Sequence, residues 1–66
     1  MSAAQSILQE LHAEIGGAEA LLVRAEGESA AGRVKFRELA IDQLRAAQRE
    51  IERVTKLIED ELYAPA

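Results

Sequence analysis

Apolar side chains recur along this chain at spacings of three and four, most regularly in its second half. Ala40, Leu44, Ala47, Ile51, Val54 and Ile58 keep a 4-3-4-3-4 spacing, and Leu62 follows four residues later. On a helix of 3.6 residues per turn this spacing draws a narrow apolar seam, which predicts a helix over about 40–62. Pro65 and its small neighbours predict a frayed tail over 63–66. Near the N-terminus Ile7, Leu8, Leu11 and Ile15 draw a similar stripe, and Ser2 with Gln5 three residues on has the spacing of a capping box. A helix is predicted from about residue 3. Gly16 and Gly17 follow the last periodic residue, where glycine is the usual helix stop, and two glycines inside a helix cost about 2 kcal/mol relative to alanine. The first helix is therefore expected over about 3–15.

Residues 18–37 admit two readings. As helix, Ala18, Leu22 and Ala25 continue the phase of Leu8, Leu11 and Ile15, and the chain turns within 27–32. As a β-hairpin, Leu21, Val23 and Ala25 alternate with Leu22, Arg24 and Glu26, while Val34 and Phe36 alternate with Arg33, Lys35 and Arg37. The valines separate the readings. Continuous helix leaves Val23 off the seam and Val34 among the arginines of a polar face, whereas strands point both inward, and β-branched residues suit strands. The expected fold is accordingly α+β and helix-dominated, a helix, a short β-hairpin and a helix (α-β-β-α), in a single small domain over 1–66. The alternative is an all-α two-helix hairpin.

With 66 residues and no cysteine, the chain cannot staple itself with disulfides or thiolate metal sites, and a core of this size contributes roughly 3–5 kcal/mol at most. A first helix ending at 15 would also leave the seam from Val54 to Leu62 uncovered. Both points predict a homo-oligomer or a protein partner, with Leu44, Ala47, Ile51, Val54, Ile58 and Leu62 as the candidate interface. A net charge of −4 argues against nucleic acid as the partner. No apolar run is long enough to span a membrane, and residues 1–17 lack the pattern of a signal peptide, so a cytoplasmic protein is expected.

Candidate chemistry changes this picture little. His12 has only Glu10 and Glu14 for company on a polar helix surface, which is no catalytic constellation, and two carboxylates supply too few oxygens for a hard cation. The glycines of "EGESAAGR" lack the lysine and spacing of a phosphate-binding loop. No cofactor, metal site or enzymatic activity is expected. Arg45, Arg49, Arg53 and Lys56 stack into a basic stripe that could meet an acidic partner, although Asp42, Glu52 and Asp60 lie at ion-pairing distance along the helix.

The segments "LQELHAEIGG", "GRVKF" (Gly32–Phe36) and "REIER" (Arg49–Arg53), in that order, resemble the first helix, second strand and last helix of the small W-type head-tail joining proteins of long-tailed bacteriophages. The turn region is longer here, and the C-terminus "IEDELYAPA" is acidic where that family ends in a basic, aromatic tail. The resemblance implies a non-enzymatic virion component that forms a ring at the portal and seats the next neck protein. The alternative function is that of a helical-hairpin homodimer that binds and modulates a host or phage protein partner, with inhibition as one form of that modulation.

Overall fold

A computed structural model describes residues 2–64. It contains two antiparallel helices, α1 (Ala3–Glu26) and α2 (Ala30–Leu62), joined by Gly27, Glu28 and Ser29. No strand occurs among the described residues, so the expected α-β-β-α fold is wrong and the all-α two-helix hairpin is the fold. The hairpin is long and flat, with Cα extents of 58 × 18 × 10 Å. Of the expected tail, Pro65 and Ala66 lie outside the described residues.

α1 begins where its sequence says it should. The Ser2 side chain accepts from the Gln5 N–H at 3.2 Å, and the Ser2 N–H donates to Gln5 Oε1 at 2.9 Å, which completes the capping box. Replacing Ser2 by alanine is expected to cost about 1 kcal/mol in chemical denaturation, and Ser2→Asp to cost little.

The expected stop at Gly16 and Gly17 does not occur: α1 runs on for 24 residues to Glu26. A glycine ends a helix by entering the left-handed region, and no glycine here has a positive φ. Beyond the pair, Ala18, Leu21 and Ala25 stay in phase with Ile7 and Leu11, so packing on α2 continues and outweighs the intrinsic cost of two glycines. A Cβ at Gly16 would meet nothing within 4 Å. Gly16→Ala is therefore expected to stabilise the protein by about 1 kcal/mol, readable as a raised denaturation midpoint with an unchanged slope.

α2 also starts earlier than expected, at Ala30 rather than about 40. Ser29 is its N-cap, accepting from the Gly32 N–H at 3.5 Å, and the Ser29 carbonyl accepts from the Arg33 N–H at 2.9 Å. Val34 therefore lies on the first turns of a helix and is 55 % exposed; Val23 on α1 is 62 % exposed. The β-branched pair had argued for strands, but single exposed valines are ordinary and the helix penalty of each is only tenths of a kcal/mol. Phe36 is half-buried, with the Arg24 guanidinium carbon 5.0 Å above its ring, a cation–π contact that ties the loop ends of the helices together. At the other end the Tyr63 N–H donates to the Glu59 carbonyl at 2.9 Å and closes α2.

The helices meet along one repeating seam. On α1 it comprises Ala4, Ile7, Leu11, Glu14, Ala18, Leu21 and Ala25, and on α2 Phe36, Ala40, Gln43, Ala47, Glu50, Val54 and Leu57, all buried or half-buried. Spacings alternate between three and four throughout, as in a heptad repeat with these residues at positions a and d. The most deeply buried members are Ile7, Ala18, Ala25, Ala40, Ala47 and Val54. Four of those six are alanines, so the backbones can approach closely while little apolar area is removed from water. Val54 packs inside the hairpin because a turn at 27–29 sets a register that brings it opposite Ile7, near the start of α1, so that only the last turn of α2 is left uncovered.

Candidate interaction face

The apolar seam read from the sequence and the seam that packs are not the same line. Ala40, Ala47 and Val54 belong to both. Leu44, Ile51 and Ile58, each the residue after a d position of α2, are 42–46 % exposed, and Leu62 is 69 % exposed. In their place Gln43, Glu50 and Leu57 face α1. The candidate interface thus divides into an inner row that holds the hairpin together and an outer row left at its edge.

α1 carries a matching outer row. Leu8, Ile15 and Leu22 are each seven residues apart and 45–46 % exposed. They occupy the same position e as Leu44, Ile51 and Ile58. Reversing the direction of one helix of a facing pair swaps its two flanks, so in an antiparallel pair the e positions of both helices fall on one side of the seam and the g positions on the other. The contacts bear this out on the g side: Gly17 lies against Gln43, Arg24 against Phe36, and Ala3 and Ile7 line one shallow cleft with Arg53 and Leu57. This register puts Ile15 at a level between Leu44 and Ile51, and Leu8 between Ile51 and Ile58. Six large aliphatic side chains therefore interleave across one broad side of the hairpin. In the sequence Leu8, Ile15 and Leu22 read as part of the core stripe; the signal that sets them apart is their strict seven-residue repeat beside a second row at Leu11, Ala18 and Ala25.

Charge is excluded from the α2 half of this side beyond Arg37. On α2 the e and b positions beyond Arg37 are Ile41, Leu44, Gln48, Ile51, Thr55, Ile58 and Leu62, none of them ionisable, although Glu38, Asp42, Arg45, Arg49, Glu52, Lys56 and Glu59 lie on the same helix. A solvated helix edge has no physical reason to omit charge over so many turns. Val34 and Ile41 widen the apolar strip along α2, and Glu19 and Glu26 rim it on α1.

The basic stripe points elsewhere. Arg45, Arg49, Arg53 and Lys56 are exposed at c, f and g positions, away from the aliphatic rows. Lys56 forms the expected pair with Asp60 at 3.6 Å, and Arg53 pairs with Glu50 at 3.8 Å. Among the described residues Asp42 and Glu52 form none of the pairs their spacing offers. Exposed pairs of this kind contribute at most about 1 kcal/mol, so the stripe is a solvated charged face, paired locally at Arg53 and Lys56.

A shallow, open cleft of about 240 Å³ lies between the free helix ends, lined by Ala3, Ile7, Arg53, Lys56, Leu57 and Asp60. It contains no nucleophile and its acid is already paired with Lys56. Among the described residues no three His, Cys, Asp or Glu side chains gather into a metal-holding group, and no helix is long and apolar enough to cross a membrane. His12 sits exposed at the α1 rim with no acid or nucleophile organised around it. No known protein family, curated protein or solved structure matches the chain, so its interpretation rests on the aliphatic face itself.

Proposed function

We propose that this protein is a non-enzymatic protein–protein assembly module, a helical hairpin that uses the side bearing Leu8, Ile15, Leu22, Leu44, Ile51 and Ile58 as its docking surface. The observation that carries the reading is the aliphatic strip running along both helices, free of charge on α2 beyond Arg37. A strip of this extent exceeds the scattered apolar exposure normal for a soluble surface and marks an interaction site. The head-tail joining role has lost its structural support, since it rested on a β-hairpin and residues 21–26 are helix. The better-supported role is that of a hairpin that acts by binding another protein and altering what that protein can contact.

Site-specific photocrosslinking in the cells that produce the protein tests this. A photoreactive residue at position 51 is expected to yield discrete protein adducts, while the same residue at position 49, on the basic outer face, is expected to yield none. Absence of any adduct from position 51 would remove the basis for the module reading.

A further inference from the structure

The geometry points to a second copy of this chain as the occupant of the aliphatic face, forming a two-fold four-helix bundle in which α1 of each copy lies on α2 of the other with both loops at one end. This rests on the module reading above and adds the identity and orientation of the partner.

Three observations support it. The first is size. From the level of Leu22 to that of Ile58 the strip is roughly 30 Å long at 1.5 Å per residue. With a hairpin 18 Å wide it presents an area on the order of 500 Å². Two such faces together remove on the order of 1,000 Å², the lower bound for a specific interface. The second is fit. Because the two-fold keeps each level unchanged, placing α1 on the partner's α2 sets Ile15 just past the partner's Leu44 toward its Ile51, and Leu8 just past its Ile51 toward its Ile58, so the two aliphatic rows meet along their whole length. The Leu and Ile side chains then form the centre of the bundle, supplying the bulk that the alanine-rich seam of a single hairpin lacks.

The third observation is charge. Arg37 occupies the e position directly above Leu44, and is the basic residue that caps the strip on α2. Its level on α1 falls between Glu19 and Glu26, the two acids on the α1 rim. With α1 on the partner's α2, each copy brings its Arg37 to the other's Glu19 and Glu26. The opposite two-fold, which sets α1 on α1 and α2 on α2 with loops at opposite ends, carries Arg37 toward the uncharged half of the strip. Charge complementarity therefore selects the orientation.

Light scattering on the full chain is expected to give 14.4 kDa, twice the 7.2 kDa of one chain. A nitroxide on Gly27→Cys reads the orientation, since Gly27 has an ordinary φ of −88° and a Cβ there makes only an ordinary contact. Pulsed electron resonance should report a loop-to-loop distance of about 20 Å, set by helix spacings of 8–10 Å across the bundle. The opposite orientation would place the loops about 45 Å apart along the helices. Arg37→Glu should weaken the dimer about fivefold, and adding Glu19→Arg with Glu26→Arg should restore it.

A folded chain that stays at 7.2 kDa at its highest soluble concentration, or a trimer or larger, overturns the assignment. A dimer with the long distance, or an Arg37→Glu chain of unchanged affinity, overturns the orientation. A position-51 photoadduct whose mass is not twice that of the chain rejects the second copy while leaving the module reading standing; no adduct at all rejects both.

Discussion

Ile51→Asp is expected to abolish self-association and to leave the chain partly unfolded at the concentrations where the native protein is fully helical. Within one hairpin Ile51 is 45 % exposed, and an aspartate there would cost little. In the association its remaining surface is buried, worth about 1 kcal/mol per copy, and the substitution instead brings two carboxylates into the aliphatic centre, where each unpaired charge costs several kcal/mol. A loss of at least 4 kcal/mol per pair raises the dissociation constant about a thousandfold. Because the hairpin's own seam is thin, loss of the partner should also lower the denaturation midpoint and make it independent of protein concentration. Val23→Asp is the matched control: Val23 is more exposed than Ile51 but sits at an f position on the outer side of α1, so its change should leave both mass and midpoint unaltered. Equal behaviour of the two variants, by light scattering and circular dichroism, would show that the aliphatic strip is ordinary surface.

Much of this fold is legible in the sequence, and the errors share a cause. The capping box at Ser2 and Gln5, the periodicity from Ala40 to Ile58 and the end of α2 near Leu62 are local signals, and the structure has each of them. Gly16, Gly17, Val23 and Val34 are local signals too, but they give way to a long-range term, the continuous packing of Ala18, Leu21 and Ala25 on Phe36, Ala40 and Gln43. Each unfavourable residue costs about 1 kcal/mol or less, whereas breaking both helices would forfeit several contact layers. Ser29, the cap that starts α2 at residue 30, is a readable signal within "ESAAG" once that segment is considered as a helix start. The interaction face is harder. The strongest apolar periodicity, Leu44, Ile51 and Ile58 with Leu8, Ile15 and Leu22, marks the row that the lone hairpin leaves open, while its actual seam runs through Glu14, Gln43 and Glu50. Periodicity shows which residues will be buried in the end; it does not show which surface buries them.

Glu50→Leu is expected to raise stability by about 2–3 kcal/mol, the largest gain open to a single substitution here, because it repairs that same mismatch. The Glu50 side chain is 22 % exposed and faces α1 near Leu11; its Oε2 is shielded and accepts no hydrogen bond. Its cation, Arg53 Nη1, is 3.8 Å away, beyond hydrogen-bonding distance, and is itself 69 % exposed, so the pair returns little for the carboxylate's lost hydration. Leucine removes an unsatisfied acceptor, worth about 1–3 kcal/mol, and adds a largely buried aliphatic side chain worth about 1.5 kcal/mol or more. For a chain of this size 2 kcal/mol moves the thermal midpoint by roughly 8–16 °C. Glu14 Oε2 is in the same condition on α1, and Glu14→Leu should add a smaller increment. The two acids stand at d positions in the inward seam and are absent from the aliphatic e rows, so the polar d row and the aliphatic e row cannot exchange places in the association, the role polar residues take at core positions of coiled coils. The combined Glu14→Leu/Glu50→Leu chain should therefore be more stable but less uniquely assembled, with mixed masses by light scattering where the native chain gives one. If Glu50→Leu instead lowers the midpoint, the carboxylate is satisfied in solution, and the inward seam is polar for a reason other than keeping the two rows from exchanging.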